Sequence, residues 1–231
     1  MANRSVLVTG ATGGLGTAVS AAFSAAGWRV VAPQRRRPDP VDAAEVDAPV
    51  RIVADLTDPR DVARAAEVAA GDPEAPLRAV VNLVGGYASG GLVHETPIED
   101  FERMLTINLR PTHLVTRAAL PHLVAAGGGA VVCVAARAAV APFPGAAGYV
   151  TAKAAVLGFA AAVATEYKAA GVRCNSVLPS VIDTPTNRDA MPDADHTRWV
   201  DPAEIASVIR FLASDESAPT SGAAVPVYGR A

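Results

Sequence analysis

The chain of 231 residues has few cysteines, few aromatic side chains and no excess of basic charge. Its two cysteines, Cys133 and Cys174, lie within apolar runs and lack metal-ligand spacing, so we expect buried free thiols in a reducing compartment. The four histidines form no metal-binding pattern either, and no metal is predicted. A net charge of −3 argues against a nucleic-acid-binding surface, because phosphate binding needs clustered Lys and Arg.

Long hydrophobic segments are also missing. The longest apolar stretch, residues 154–165, is too short to span a bilayer, and the N-terminus leads into a strand-like run without a signal-peptide region. We therefore expect a cytoplasmic protein that does not bind membranes. With 51% hydrophobic residues, the chain can bury a sizeable core, and no composition shift divides it, so one domain over residues 1–231 is predicted.

Short β-branched runs alternate with Ala-rich helical stretches along the whole chain. Strands are expected at residues 6–9, 29–32, 50–53, 79–84, 130–134, 172–178 and 224–227. Helices are expected at residues 15–26, 59–70, 98–125, 148–170 and 202–213. Continuous apolar strands separated by helices indicate a parallel sheet covered on both faces. Right-handed crossovers then favour a doubly wound (Rossmann) α/β fold of three layers with a mostly parallel, seven-stranded sheet.

Two longer connections interrupt this alternation. Residues 38–49, rich in Pro and Asp, are expected to form a loop, and residues 179–201 a second one. A loop as long as the second is usually functional in a compact domain, often as a lid over a substrate.

A glycine-rich turn, Thr9-Gly10-Ala11-Thr12-Gly13-Gly14-Leu15-Gly16, follows the first expected strand. Glycines there permit a tight turn and let the backbone approach a pyrophosphate at the helix N-terminus. A tight turn without a ligand is the alternative, but the position between the first strand and the first helix favours a dinucleotide site. The spacing Gly-x-x-x-Gly-x-Gly resembles that of the short-chain dehydrogenase/reductase family. From this point the resemblance extends over nearly the whole chain.

The end of the second strand bears on which cofactor binds. In such folds an acidic residue there binds the ribose diol of NAD, whereas an Arg accommodates the 2′-phosphate of NADP. Here the acidic position is Gln34, followed by Arg35 and Arg36. Because guanidinium groups match a phosphate bidentately, we predict NADP(H) in preference to NAD(H). A solvated basic turn is the alternative interpretation.

The resemblance implies further cofactor contacts at the ends of later strands. Asp55-Leu56-Thr57 is similar to the adenine-contacting element of the family, and Asn82-Leu83-Val84-Gly85 to its Asn-Asn-Ala-Gly segment. The predicted cofactor-binding residues are Gly10, Thr12, Gly14, Leu15, Gly16, Arg35, Arg36, Asp55, Leu56, Asn82, Val84, Gly85, Tyr149, Lys153, Pro179, Ile182 and Thr184.

Tyr149 and Lys153 form a candidate catalytic pair, because a spacing of four places both on one face of a helix. A nearby ammonium favours an ionised phenol, so we expect the pKa of Tyr149 to fall toward working pH. Such a pair also arises by chance; the glycine turn favours the catalytic interpretation. In the family resembled here the Tyr gives or takes the substrate proton, and the Lys also holds the nicotinamide ribose. An Asn there supports a relay water, and Asn108 matches its place.

The fourth member of the family's catalytic set is absent. Ala136 stands thirteen residues before Tyr149, where the family normally has Ser. A hydroxyl at this place stabilises developing negative charge, and losing one such donor typically costs roughly 10²–10³ in rate. Either the protein has lost activity or its substrate does not need the donor. The retention of Tyr149, Lys153 and Asn108 favours the second explanation.

A resemblance to one member of the family also favours the explanation that the substrate does not need this hydroxyl. Residues 85–91, 135–153 and 178–188 are similar to dihydropteridine reductase, a family member that also has Ala in place of this Ser. The resemblance implies hydride transfer to a conjugated cyclic acceptor, such as a quinonoid pterin or a quinone-like ring, which spreads the negative charge. One departure is that dihydropteridine reductase generally prefers NADH and carries the acidic residue that Gln34 replaces.

The predicted substrate contacts are Tyr87, Ala136, Met191 and Trp199. The Tyr87 ring is expected to stack on a flat substrate, with an ordinary loop tyrosine as the alternative. Ser180 is considered as a replacement hydroxyl near the nicotinamide.

Two rival functions stay open. One is an ordinary ketone or 3-oxoacyl reductase with a modified site, and the other is a non-catalytic NADP-binding regulator. Members of the family usually associate through the helices near Asn108 and Tyr149, so the resemblance implies a homodimer or homotetramer.

Overall fold

A computed structural model describes residues 2–35 and 48–230, and in these residues seven strands form one sheet. The strands are β1 (Ser5–Thr9), β2 (Arg29–Gln34), β3 (Val50–Val53), β4 (Leu77–Asn82), β5 (Gly129–Val134), β6 (Val172–Pro179) and β7 (Ala224–Val227). Their order is β3-β2-β1-β4-β5-β6-β7, and every neighbouring pair is parallel. The predicted doubly wound α/β fold is confirmed. The strand order reverses between β1 and β4, and in such sheets ligands bind in the crevice at the carboxyl ends of those strands.

Helices cover both faces of the sheet. They are α1 (Gly14–Ala25), α2 (Pro59–Ala70), α3 (Ile98–Asn108), α4 (Arg110–Ala125), α5 (Ala147–Glu166), α6 (Pro185–Ala190) and α7 (Pro202–Ala213). Side chains of β1 alternate between the two cores: Val6 and Val8 pack with α1 and α7, whereas Leu7 packs with α2, α4 and α5. Each such fully buried side chain stabilises the fold by about 1.5–3 kcal/mol. Cys133 and Cys174 are free and buried, as the sequence predicts.

The start of α1 differs from the starts of α2 and α7. Asp58 caps α2 by accepting a hydrogen bond from the Arg60 amide, and Asp201 caps α7 in the same way. The residue before α1 is Gly13, which supplies no side-chain cap, and the first turn of α1 carries no acidic residue. The amide groups at this helix end therefore receive no hydrogen bond from a capping side chain.

The helix expected over residues 98–125 is instead two helices that meet at Leu109. Pro111 explains the break, because it has no amide hydrogen to donate and its ring crowds the carbonyl four residues before it. The Thr112 hydroxyl donates to the Asn108 carbonyl across the junction, at 3.0 Å. The break places Asn108 at the end of α3, facing the carboxyl edge of the sheet.

Other boundaries also differ from the expectation. The helix expected to end at residue 170 ends at Glu166 and is followed by a 3₁₀ turn, Lys168–Ala170. The expected loop 179–201 contains α6 and the 3₁₀ turn His196–Arg198, because Thr184 and Asp195 supply side-chain caps. β2 continues to Gln34, and β4 ends at Asn82. Most of the expected loop 38–49 lies outside the described residues.

The helix α5 is longer than the apolar stretch 154–165 taken from the sequence. By length and composition it could cross a membrane, with a mean hydropathy of 1.5 over its apolar window. Buried core helices have the same length and composition, so this is weak support for a membrane span. Within the described residues, α5 packs on β5, β6 and α3.

Candidate active site

The glycine turn between β1 and α1 is built on close backbone contacts. Gly10 has a φ of 69°, in the left-handed region that glycine favours. A Cβ at Gly16 would overlap the Gly10 carbonyl oxygen, and a Cβ at Gly14 would lie 2.7 Å from Thr184 Cγ2. Thr184, from the segment after β6, therefore lies directly over the turn. Thr12 is exposed and Leu15 half-buried at the same end of the helix.

This turn fits the pyrophosphate of a dinucleotide. The first amide groups of α1 are uncapped, and the helix dipole favours a negative charge at this end. The glycines at positions 14 and 16 let the Gly10 carbonyl and Thr184 approach the turn more closely than a Cβ would allow. Among the predicted cofactor residues, Gly10, Thr12, Gly14, Leu15 and Thr184 are thus brought together.

The predicted 2′-phosphate pocket is described in part. Arg35 is exposed immediately after β2, while Arg36 lies outside the described residues. Hydrogen bonds from the Thr57 amide and hydroxyl hold the pKa of Asp55 below its usual value, and the Arg35 guanidinium contributes in the same direction. Arg35 follows β2 and Asp55 follows β3, so both residues lie at the carboxyl edge of the sheet. The Leu56 side chain is buried in the core, which leaves its backbone for any cofactor contact.

Beyond β4, side chains of the sheet fix the path of the backbone. The Thr9 hydroxyl accepts hydrogen bonds from the amides of Leu83, at 3.0 Å, and Val84, at 3.4 Å. Asn82 is buried and donates to the Thr116 hydroxyl at 3.0 Å. The Asn82 side chain thus joins β4 to α4, and its role in the structure is to position the segment that follows.

Asn108 and Gly85 meet beside Lys153. The Asn108 amide group is buried; its Oδ1 accepts from the Gly86 amide at 3.1 Å and its Nδ2 donates to the Gly86 carbonyl at 3.0 Å. A Cβ at Gly85 would lie 2.5 Å from Asn108 Oδ1 and 3.1 Å from Lys153 Nζ. Only glycine at position 85 lets these two side chains approach the backbone, and Asn108 holds that backbone in place.

The Lys153 ammonium is buried and donates to the Val134 carbonyl at 3.0 Å. Burial lowers the pKa of Lys153 to about 8. Its Nζ lies 6.0 Å from the centre of the Tyr149 ring, so the two side chains share one face of α5 as the spacing predicts.

The expectation for the pKa of Tyr149 is wrong. Burial, and to a smaller extent the neighbouring Tyr87, raises the pKa of Tyr149 to about 12. The Lys153 ammonium does not offset this, because its hydrogen bond is to the Val134 carbonyl and its own charge is disfavoured by burial. Tyr149 is therefore a protonated phenol at neutral pH, which is the form that can donate a proton.

Ala136 is buried just after β5, at the start of the 3₁₀ turn Arg137–Ala139, and supplies only a methyl group. Ser180 does not replace the missing hydroxyl, because its Oγ donates to the Tyr228 carbonyl at 2.8 Å. That bond joins β6 to the segment after β7 and occupies the donor.

Three aromatic rings lie together at this site. The centres of the Tyr87 and Tyr149 rings are 5.1 Å apart, and Phe143 lies 6.5 Å from Tyr87. The Tyr87 hydroxyl donates to the Ser89 hydroxyl at 2.8 Å, and 60% of Tyr87 is exposed. Phe143 is absent from the predicted set. The sequence feature that could have identified Phe143 is its position as an aromatic residue shortly before Tyr149, in a chain with only 5% aromatic residues.

The segment between β6 and α7 is folded onto itself. Ile182 forms a parallel bridge with Val200, and the Trp199 ring contacts the His196 ring at 4.3 Å. Met191 is 39% exposed, and its carbonyl lies 2.9 Å from His196 Nε2. The described contacts of Met191 and Trp199 thus stay within their own segment and do not bring them to Tyr149. Pro179 and Ile182 lie where this segment leaves the sheet.

A doubly wound parallel sheet, an uncapped glycine turn at its switch point and a Tyr–Lys pair at the same edge define a nicotinamide-dinucleotide oxidoreductase. The sequence profile described as short chain dehydrogenase matches residues 4–195. The chain belongs to this family and is an enzyme, which sets aside the alternative of a non-catalytic regulator.

Relatives of known function support the assignment over the full length. The chain is 32% identical to 2-(R)-hydroxypropyl-CoM dehydrogenase of Xanthobacter autotrophicus, covering 98% of both chains. It is 32% identical to (3R)-3-hydroxyacyl-CoA dehydrogenase of Rattus norvegicus, covering 96% of this chain and 94% of the relative. These relatives are named as dehydrogenases of hydroxy compounds. The narrower likeness to dihydropteridine reductase does not follow from them.

Solved structures agree with the fold. A short-chain type dehydrogenase/reductase from Mycobacterium ulcerans superposes with a TM-score of 0.90 at 27% identity, covering 100% of this chain and 90% of the other. A putative NAD(P)-dependent gluconate 5-dehydrogenase from Beutenbergia cavernae, solved with NADP bound at low occupancy, gives 0.86 at 28% identity, covering 99% and 96%.

Proposed function

We propose that the protein is an NADPH-dependent reductase that transfers hydride to a conjugated cyclic acceptor, such as a quinonoid pterin or a quinone-like ring. The observation that carries this proposal is the methyl group of Ala136 where a hydroxyl would stabilise an alkoxide. A conjugated ring spreads the negative charge over several atoms, so the missing donor costs less for such an acceptor than for a ketone.

The aromatic rings near Tyr149 support the same substrate class. Tyr87 is exposed beside Tyr149, and the Phe143 ring lies 6.5 Å from the Tyr87 ring. Aromatic rings prefer offset or edge-to-face packing at centroid distances of about 4.5–7 Å, which suits a flat acceptor. The resemblance of residues 85–91 and 178–188 to dihydropteridine reductase is part of this proposal.

NADPH would be held by residues at the carboxyl edge of the sheet. The uncapped amides of α1 fit its pyrophosphate, and the exposed Arg35 guanidinium fits the 2′-phosphate. The nicotinamide, when bound, supplies the hydride. Lys153 would hold the nicotinamide ribose, as the family resemblance implies.

The proton would come from Tyr149. Its raised pKa of about 12 keeps the phenol protonated over the neutral range. With a pKa lowered to about 8, Lys153 exchanges protons near neutral pH and can resupply Tyr149. Asn108 acts as a positioning residue, because its two bonds to Gly86 hold the backbone next to Lys153.

The test is a cofactor-oxidation assay with NADPH and with NADH against quinonoid dihydropterin, quinones, simple ketones and a 3-oxoacyl thioester. Tyr149→Phe provides the background rate, which matters because quinonoid compounds react without enzyme. We expect kcat/KM to be at least roughly tenfold higher for the conjugated rings than for the ketones. Equal or better turnover of ketones would contradict the proposed substrate class.

The second candidate is the interconversion of a hydroxy compound and its ketone. It is favoured by the relatives, which are named as dehydrogenases of hydroxypropyl-CoM and hydroxyacyl-CoA. The same assay, run in both directions, separates the two candidates, because a secondary alcohol would then support reduction of NADP⁺ or NAD⁺.

We also propose that residues 1–231 act as one domain in the cytoplasm and form a homodimer or homotetramer. Part of the surface of α5 supports self-association: Ala154, Ala161 and Ala162 are exposed, and a Cβ at Gly158 would meet nothing within 4 Å. Light scattering coupled to gel filtration measures the oligomeric state, and a monomer at micromolar concentration would contradict the proposal.

A further inference from the structure

A cleft of about 370 Å³ opens at the amino ends of the strands. Arg4 precedes β1, Arg78 is the second residue of β4, and Arg173 is the second residue of β6. The glycine turn and Tyr149 lie at the carboxyl ends of the same parallel strands. The cleft is therefore at the opposite edge of the sheet from the proposed cofactor and substrate sites.

Basic side chains dominate this cleft. In the described part of the chain, its lining includes one carboxylate, Asp215, and four cations, Arg4, Arg78, Lys168 and Arg173. This concentration of cations is unexpected in a chain whose net charge is −3. Within the described ranges, the four cations make one ion pair, between Arg4 Nη1 and Asp215 Oδ2 at 3.5 Å, and the Asp215 side chain is 87% exposed. Such an exposed pair contributes little and leaves most of the positive charge uncompensated.

The other two arginines are held by neutral acceptors. Arg78 Nη1 donates to the Ala126 carbonyl at 2.6 Å, and Arg173 donates to the Leu212 and Ser214 carbonyls, each at 2.9 Å. These carbonyls lie at the ends of α4 and α7, where helix dipoles favour a cation. The bonds fix the guanidinium groups on the wall of the cleft. The bonds themselves bring no carboxylate, and the acidic neighbour of Arg173 is the same exposed Asp215 that pairs with Arg4.

Arg4 is also fixed in place. Its guanidinium carbon lies 4.5 Å from the centre of the Trp28 ring, which forms another part of the wall. The Arg4 Nε atom is buried and has no hydrogen-bond partner among the residues that the structure describes. The Arg4 side chain as a whole is 33% exposed, so its guanidinium group is partly open to the cleft that it lines.

We propose that this cleft binds a small, multiply charged oxyanion, a molecule carrying phosphate or carboxylate groups, at a site separate from the active site. Guanidinium groups bind both kinds of group bidentately, and the exposed Lys168 adds a further positive charge to the lining. The cations come from separate parts of the chain and converge only in the folded protein. Binding therefore stabilises the native state.

Trp28 provides a local reporter of binding. The chain has two tryptophans, so Trp199→Phe leaves Trp28 as the sole emitter. This variant is titrated with pyrophosphate and, separately, with citrate at constant ionic strength, while the Trp28 emission is recorded. We expect a saturable change with at least one of them, and the tighter of the two identifies the charged group that the cleft prefers.

Lys168→Glu in this background should weaken binding by roughly tenfold or more, because it places a negative charge beside the anion. The matched control is Arg60→Glu, which makes the same charge change at an exposed position near the start of α2. This helix begins after β3, so Arg60 lies at the carboxyl edge of the sheet, opposite the cleft. Lys168→Gln gives a milder variant, and thermal melts confirm that each variant folds. Pyrophosphate bound only at the glycine turn, which lies at the same edge of the sheet as Arg60, would respond to Arg60→Glu at least as strongly as to Lys168→Glu. That result, or the lack of a saturable change with either anion, would overturn the proposal.

Discussion

The Tyr87 ring meets the Tyr149 ring edge to face, with their centres 5.1 Å apart and their planes at 87°. Tyr87 is itself 60% exposed, so it covers Tyr149 while presenting its own ring to any ligand above it. The pair therefore links the protonation of the proposed proton donor to the recognition of the acceptor. Substitutions of Tyr87 alone therefore test both its effect on the pKa of Tyr149 and its effect on acceptor binding.

Tyr87→Ala should raise KM for a flat acceptor by roughly two- to tenfold, because an aromatic pair contributes about 0.5–1.5 kcal/mol. It should also lower the pKa of Tyr149, since it removes part of the covering and the neighbouring phenol that raise it. Steady-state kinetics and a pH titration of the tyrosine absorbance measure the two effects. Tyr87→Phe is the control, because it keeps the ring and loses only the bond to Ser89. If both variants behave alike, the hydroxyl and not the ring is what matters.

Ala136→Ser separates the two candidate substrate classes. A hydroxyl at this position would stabilise an alkoxide, so the variant should increase the rate with simple ketones by roughly tenfold or more. The rate with quinonoid or quinone-like acceptors should change less than threefold, a difference of roughly 0.7 kcal/mol. The measurement is kcat for both classes with the same cofactor. A large gain with the conjugated rings would argue that charge localises on one oxygen after all.

Arg35→Glu tests the cofactor preference. The substitution places a carboxylate where we expect the 2′-phosphate, so binding of NADPH should weaken by roughly tenfold or more. Binding of NADH, which has no phosphate there, should stay within twofold. Dissociation constants from cofactor fluorescence measure both, with Arg60→Glu as a control for net charge. Tighter binding of NADH than NADPH by the unmodified protein would contradict the preference at once.

The stability of the cofactor-free protein should depend on pH through Lys153. Its pKa is about 8 in the folded protein and near its usual value of 10.5 when unfolded. Between these two pH values the unfolded chain binds more protons, so stability rises with pH, by about 3 kcal/mol over the whole window. Lys153→Met should remove this rise. Urea unfolding at pH 7 and pH 10 measures the difference, and an unchanged slope in the variant would show that another group is responsible.

The sequence predicts the fold well and the site in part. The β-branched runs, separated by Ala-rich helical stretches, predicted all seven strands, because burial on both faces of a parallel sheet selects β-branched residues. Pro111 indicates the break between α3 and α4, but the prediction of one helix over residues 98–125 did not take it into account. The glycine turn and the Tyr149–Lys153 spacing are local, so the sequence reveals them directly.

What the sequence could not predict depends on distant parts of the chain. The raised pKa of Tyr149 comes from burial, which is a property of the packed molecule. Ser180 is engaged by the Tyr228 carbonyl, 48 positions later in the chain, so its availability could not be judged from its neighbours. Trp199 is predicted as a substrate contact because aromatic residues are rare in this chain, but its ring packs on the His196 ring.

Thr184 lies against Gly14, so the segment between β6 and α7 holds the turn that would carry the pyrophosphate. A nucleotide whose pyrophosphate occupied this turn would lie next to Thr184, so we expect its binding and release to depend on that segment. We therefore predict an ordered mechanism, with the nucleotide first on and last off. Product inhibition is the measurement: the oxidised nucleotide should compete with the reduced one, and the second product should not.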